Sequence, residues 1–208
     1  MSNEPREGEL YVIAAPSGAG KTSLINSLLA EFDRLAFSVS DTTRAPRRGE
    51  RDGEHYNFID ADTFRQRIDA GRYLEHAEVF GNYYGTDRAQ VEALWCRNMD
   101  VLLEIDVQGA AQIRRSRPGA CEIFILPPSL DVLKSRLVAR GTDQPDVIAR
   151  RLGEARTEIS ACLQFDWIVV NDDFDRAKTQ LLSILRAWPL RKDRQARDQQ
   201  NLIRELLV

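Results

Sequence analysis

One stretch constrains this chain more than any other. Leu10 to Ala15 is an apolar run that passes into Pro16-Ser17-Gly18-Ala19-Gly20 and then opens an amphipathic segment on Lys21-Thr22. A buried strand, a turn of small residues and a helix starting at Lys-Thr is the context of a phosphate-binding loop, G-x-x-x-x-G-K-[ST]. Gly20, Lys21 and Thr22 match that pattern, and Ala15 stands at its first glycine. Small residues let consecutive backbone N–H groups converge on phosphate oxygens, and the helix N-terminus adds positive potential. Ala15, Pro16, Ser17, Gly18, Ala19 and Gly20 are therefore the expected cradle for ATP. Lys21 would bridge its terminal phosphates and Thr22 would hold Mg²⁺. Such a site also needs a carboxylate for the metal shell. Val101 to Ile105 is an apolar strand ending in Asp106, with Glu104 two residues earlier on the same face.

Around this loop, strand-length apolar runs alternate with helical periodicity. Leu24, Ile25, Leu28 and Leu29 mark one face of a helix from about Lys21 to Phe32. Further strands are expected at Ala36–Ser40, Tyr56–Ile59, Tyr73–Phe80, Cys121–Leu126 and Trp167–Val170, with helices between most of them. The pattern indicates an α/β fold with a mostly parallel sheet. The segment from Phe37 to Phe80 departs from it and reads as a small insert. Asp41 to Glu54 reads as a loop and Asn82 to Thr86 as a turn. Leu190 to Leu207 reads as a helix whose Leu202, Ile203, Leu206 and Leu207 could cover either the chain's own core or a partner subunit in a homo-oligomer.

Composition removes several alternatives. The 208 residues carry 29 basic and 32 acidic side chains, a net charge of −3, so a general nucleic-acid-binding surface is not expected. No apolar run approaches the ~18 residues of a membrane helix, and the mixed charges before Leu10 do not make a signal peptide. Cys96, Cys121 and Cys162 lack C-x-x-C spacing, which argues against zinc and a disulfide framework and for reduced thiols in the cytoplasm. Of the 29 basic residues only Lys21, Lys134, Lys178 and Lys192 are Lys; the rest are Arg, which suits bidentate contact with phosphate.

Two Arg-rich stretches stand out. Arg44, Arg47, Arg48 and Arg51 lie in one loop, with Tyr56 beyond it and Tyr83-Tyr84-Gly85-Thr86 further on. A second runs from Lys134 to Arg156. Arg forks and Tyr hydroxyls are suitable donors to a phosphate monoester. With Ser17 to Thr22, Ser40 to Arg47, Gly53-Glu54-His55-Tyr56, Glu75, Gly81 to Gly85, Ile105-Asp106-Val107-Gln108-Gly109, Leu126-Pro127-Pro128-Ser129, Arg140-Gly141-Thr142 and Val170-Asn171-Asp172-Asp173 in order, the chain resembles the bacterial guanylate kinases over about residues 10 to 190.

The resemblance implies a P-loop, three-layer αβα fold with a parallel central sheet. A core of 1–36, 88–133 and 164–208 would carry a small mixed-β insert for the nucleoside monophosphate at 37–87 and a helical lid at 134–163. It implies Mg²⁺-dependent transfer of the γ-phosphate of ATP to GMP. Arg44, Arg47, Tyr56 and Tyr84 would hold the GMP phosphate, and Ser40 and Thr86 would contact O6. Glu75 would receive N1–H and the exocyclic amine, and Asp106 would lie near both the base and the metal. Arg136, Arg140 and Arg151 would close over the phosphates, joining Lys21 and Arg44 as catalytic residues, and Asn171 would contact adenine. The chemistry of Glu75 is sound in itself, since a carboxylate only accepts and guanine presents two adjacent donors. Adenine lacks the N1 proton and would leave it underpaired.

Departures are few: Ala15 in the loop, Glu104 where an Asp is common, and Pro145 in the lid. Two other readings exist, a non-catalytic module of the same fold that binds phosphorylated peptides, and a kinase of a ribose bisphosphate. The intact Gly20-Lys21-Thr22 speaks against the first, and Glu75 with Ser40 and Thr86 against the second.

Overall fold

A computed structural model describes residues 8–47, 49–139 and 145–207. Arg48 and Arg140 fall outside them, as do Gly141 and Thr142. At the centre lies β1 (Leu10–Ala14), every residue of which is buried. It pairs in parallel with β7 (Asp100–Glu104) on one side and β8 (Cys121–Leu126) on the other. Flanking strands β2 (Leu35–Phe37) and β9 (Trp167–Val170) complete a five-stranded parallel sheet in the order β2-β7-β1-β8-β9. Period-2 alternation sends Tyr11 and Ile13 to one face, where they pack with Leu24, Ile25 and Leu28 of α1 (Lys21–Glu31) and Leu181 and Leu185 of α7 (Phe174–Ala187). Leu10, Val12 and Ala14 go to the other face. There they meet Val91 of α3 (Arg88–Trp95) and Ile113 of α4 (Val107–Ser116). Helices on both faces explain why β1, β7 and β8 read as continuous apolar runs. The P-loop follows β1 and Asn171 follows β9, so both leave the sheet at its carboxyl edge, where open α/β sheets bind ligands.

A second sheet lies between β2 and α3. Its order is β4 (Asn57–Phe58), β3 (Asp41–Thr42), β6 (Asn82–Asp87), β5 (Tyr73–Val79), with one parallel and two antiparallel pairings. Helix α2 (Ala61–Asp69) lies between β4 and β5 in the chain and contributes the buried Phe64. Asp41 is fully buried at the heart of this unit. Its carboxylate accepts from Tyr73 Oη at 2.8 Å, from Asn57 Nδ2 at 2.9 Å and from the Arg67 guanidinium, so one side chain ties three strands to α2. Beyond β8, α5 (Leu130–Ala139) and α6 (Pro145–Ser160) share a small core of Leu133, Leu137, Ile148 and Ala155.

Three expectations are corrected. Residues 82–87 form a strand, β6, paired on both sides, rather than a turn. The reversal comes earlier, at Phe80 (φ 53°) and Gly81 (φ 74°), the successive positive φ values of a tight hairpin. Asp41–Thr42, expected in a loop, is β3. The C-terminal segment is two short helices, α8 (Lys192–Asp198) and α9 (Gln200–Leu206), broken at Gln199. Leu202, Ile203, Leu206 and Leu207 are exposed there, so that stripe does not cover the chain's own core. The three cysteines are free thiols, Cys121 and Cys162 buried and Cys96 exposed. No helix among the described residues is long and apolar enough to cross a membrane.

Candidate functional site

Helices α2, α3, α4 and α7 each begin under an Asp whose carboxylate accepts from their first turn. Helix α1 does not. It starts at Gly20 with no side-chain cap and no acid in its first turn, so its leading N–H groups and positive dipole end are left for another anion. Gly18 and Gly20 adopt φ of 93° and 91°, which glycine alone takes without strain, and Ala19 N–H donates to Pro16 O at 3.1 Å to close the loop. Beside this opening, Lys21 Nζ lies 3.7 Å from Glu104 Oε1, and Thr22 Oγ1 donates to the same oxygen at 3.2 Å. The β1–β7 register, which sets Ile13 opposite Glu104, makes this meeting possible.

Arg136 of α5 donates from Nη1 to Ala19 O at 3.2 Å and from Nη2 to Asn171 O at 3.0 Å. Asn171 is buried, and its Nδ2 donates to Ala19 O at 2.7 Å, so the side chain expected at adenine supports the loop from beneath. Arg151 of α6 donates from Nη1 to Ser17 Oγ at 3.2 Å. Sequence reasoning missed Glu158, which α6 brings to the same place. Burial raises its pKa to about 7, the charges of Asp106 and Glu154 push the same way, and Lys21 and the Ser17 N–H oppose them. No local sequence signal marks this acid, because most of the groups that act on it come from the P-loop, α1 and the start of α4.

Across the cleft, the β5–β6 register sets Glu75 opposite Thr86 and Ala77 opposite Tyr84, so Glu75, Thr86 and Tyr84 share one face. Glu75 is buried and accepts from Thr86 Oγ1 at 2.6 Å. Burial lifts its pKa to about 7, with Asp106 adding to the rise and the Thr86 hydrogen bond opposing it. Asp106 has both oxygens engaged at the start of α4: Oδ1 accepts from Gly109 N–H at 2.8 Å and Oδ2 from Gln108 Nε2 at 3.1 Å. Ser40 is buried just before β3.

Arg44 lies over the rings of Tyr56, at 5.4 Å, and Phe58, at 5.9 Å, and Tyr56 meets Tyr84 edge-on at 5.8 Å. Burial works against the Arg44 charge, but hydrogen bonds with Glu50 and Tyr84 prevail and its pKa is raised. Burial also raises the Tyr56 hydroxyl, keeping it a donor. Arg47 is exposed, and its N–H donates to Glu50 Oε2 at 2.7 Å while Glu50 Oε1 lies 2.9 Å from Arg44 Nη2. Glu50 is thus a second residue that inspection of the Arg run alone did not single out. Of the expected site residues, the structure brings Lys21, Thr22, Arg136, Arg151 and Asn171 to the P-loop. Glu75, Thr86 and Asp106 form one group, and Arg44, Tyr56 and Tyr84 another; Arg140 lies outside the described residues.

Fold and site together define a P-loop nucleotide-binding protein with a second group of polar side chains on the neighbouring sheet. The guanylate kinase family model matches residues 7–188. The chain is 50% identical over 200 residues to the guanylate kinase of Alkalilimnicola ehrlichii, covering 96% of this chain and 98% of that one. It is 56% identical over 184 residues to that of Hahella chejuensis (88% of each) and 50% identical over 205 residues to that of Escherichia coli K12 (97% and 99%). The crystal structure of guanylate kinase from Anaplasma phagocytophilum matches with a TM-score of 0.75 at 35% identity, covering 90% of this chain and 89% of that one. The chain belongs to the guanylate kinase family.

Proposed function

We propose that this protein transfers the γ-phosphoryl group of ATP to GMP, giving ADP and GDP. The observation that carries the reading is the pairing of an uncapped P-loop helix with a buried carboxylate, Glu75, on the neighbouring sheet. A GMP phosphate oxygen attacks the γ-phosphorus in line while the bond to the β–γ bridging oxygen breaks, and no phosphoenzyme forms. The chain's contribution is position and charge. The amides of Ser17 to Thr22 and Lys21 bind the ATP phosphates. Arg136 and Arg151, already at the loop, neutralise charge that spreads in the transition state, and Arg140 joins them. Arg44, Arg47, Tyr56 and Tyr84 hold the acceptor phosphate. Ionised Glu75 accepts the two guanine donors while Ser40 serves O6, and the Thr86 hydroxyl, whose one proton goes to Glu75, lies beside them.

Bound together with ATP, Mg²⁺ would supply charge neutralisation to the phosphates. The Thr22 hydroxyl and the Glu104 carboxylate, 3.2 Å apart, are hard oxygen donors that fit it. We assign the outer shell to Glu104 rather than to Asp106, whose oxygens cap α4. We further take residues 37–87 and 134–163 as mobile inserts on the core and place the protein in the cytoplasm, where free thiols such as these persist. Retention of Gly20, Lys21 and Thr22 separates it from non-catalytic modules of the same fold. The test is a coupled assay of ADP release with GMP, IMP, AMP and UMP as acceptors. GMP should be strongly preferred; AMP or UMP accepted as well as GMP would sink the guanine assignment.

A further inference from the structure

Helix α4 carries a glycine in its first turn, at Gly109, that its backbone does not need. Gly109 is not among the residues with positive φ, and alanine is the better helix former. A Cβ built on it would overlap Glu75 Oε2 and sit 3.1 Å from Glu75 Cδ; the next neighbour is Asp106 Oδ1 at 3.4 Å. The missing methyl group is therefore space for one carboxylate. Two further contacts hold that carboxylate's strand against the helix. Gln112, one turn further along α4, accepts at Oε1 from His76 N–H at 3.2 Å and donates from Nε2 to His76 O at 2.6 Å. Gln108 Nε2 reaches Glu78 O at 3.5 Å. Strand β5 lies at the edge of its sheet, so the Gln112 amide satisfies main-chain groups beside Glu75 that have no strand partner on that side.

We propose that Gly109 is the specificity-positioning residue for guanine. It touches no substrate and acts by letting Glu75 lie on α4, where Thr86 and the α4 clasp hold its two acceptor oxygens at one place. This rests on Glu75 being the guanine acceptor. Displacing Glu75 Oε2 turns the whole carboxylate and so pulls Oε1 away from the Thr86 hydroxyl that donates to it, without breaking the fold, because the group that yields is the end of a side chain.

The experiment compares Gly109→Ala, Gln112→Ala, Glu75→Gln and the Gly109→Ala/Glu75→Gln double variant. The readouts are kcat/KM for GMP and IMP, KM for ATP, and thermal midpoint. IMP lacks the exocyclic amine, so the GMP-to-IMP ratio reports how well the carboxylate is placed. In Gly109→Ala, kcat/KM for GMP should fall by about tenfold to a hundredfold. The GMP-to-IMP ratio should shrink, the ATP KM should stay within about twofold, and the midpoint should hold or rise, as alanine favours the helix. Gln112→Ala should shift the ratio in the same direction by less. In the double variant the methyl group should have no further effect on the ratio. The proposal is overturned if Gly109→Ala keeps the wild-type ratio while Glu75→Gln changes it. It is also overturned if Gly109→Ala lowers the midpoint and both substrates' turnover together, as a merely structural glycine would. A Glu75→Gln variant with unchanged ratio would instead remove the reading of Glu75 itself.

Discussion

Helices α1 and α4 both begin at the carboxyl end of a parallel strand, yet they treat their positive ends differently. The first opens on Gly20 with nothing over it, and the second starts under Asp106, with Glu75 packed against its third residue. The loop at 15–22 is therefore a main-chain site, in which backbone amides and one Lys await a polyanion. The pocket at Glu75 is a side-chain site that keeps its own acid ready in a buried place, at the cost of raising its pKa to about 7. One half binds negative charge and the other supplies it, which is what a phosphate tail and a guanine edge respectively require.

The largest effect should come from removing the lysine that the P-loop itself carries. Lys21→Ala should lower kcat by at least about 10²–10³-fold, the scale of losing one preorganised stabilising donor. GMP affinity, measured by calorimetry without ATP, should stay within about twofold, because Glu75 and Arg44 belong to other elements. Equal loss of GMP affinity would show that the two halves are not separable in this way.

Glu75→Gln should be the next largest. It replaces an acceptor pair by one acceptor and one donor facing guanine's donors, and should reduce kcat/KM for GMP by about 10- to 100-fold. Its pH behaviour is the sharper readout. Only the ionised carboxylate accepts both bonds, so kcat/KM for GMP in the parent should rise as pH increases through about 7, and this limb should be missing in the variant. The stability sign is opposite. A carboxyl raised from 4.5 to about 7 costs nothing below pH 4.5, costs progressively more between those values, and costs its full amount above pH 7. Without GMP, Glu75→Gln should thus melt higher than the parent above pH 7 and show no such gain below pH 4.5.

The contrast between the two halves also explains what could be read in advance. The P-loop is contiguous, so Gly20-Lys21-Thr22 between a strand and a helix was legible residue by residue. The role of Glu75 was legible only through resemblance, because its surroundings come from β6, α4 and the end of β7. In β6, Asn82 and Gly85 look like turn residues; pairing on both sides overrides that propensity. Glu158 carries no local mark, and Gly109 and Asp41 are legible only as members of motifs, for one reason: each matters through partners far along the chain. Glu104 stands on the expected strand face, but only the register with β1 brings it to Thr22.

Asp41→Asn tests whether the side-chain half depends on its own buried frame. The substitution leaves Arg67 without its anion and weakens the bonds from Tyr73 and Asn57. Since the Arg67 side chain keeps 26% exposure, solvent offsets part of the loss, and we expect about 2 kcal/mol of destabilisation. That corresponds to a midpoint lower by about 4–8 °C in a chain of this size. GMP affinity should fall with it, whereas ATP KM should change by less than about twofold. A matching loss at ATP would mean that the second sheet also supports the P-loop.

The smallest effect belongs to Glu50, where two influences oppose each other. Its carboxylate repels an incoming phosphate, yet its two oxygens fix the Arg44 guanidinium and the Arg47 amide. Both Glu50 and Arg44 are mostly buried, with side-chain exposures of 16% and 13%, so the positioning contact is little screened. Glutamine can accept from only one of the two donors and would turn its own NH₂ toward the other. Positioning should therefore outweigh repulsion, and Glu50→Gln should raise the KM for GMP by about two- to fivefold with kcat unchanged. Measuring KM at low and high salt separates the two influences, because repulsion is screened and the lost hydrogen bond is not. A KM that falls at low salt and returns to the parent value at high salt would mean that Glu50 holds phosphate off rather than holding Arg44 in place.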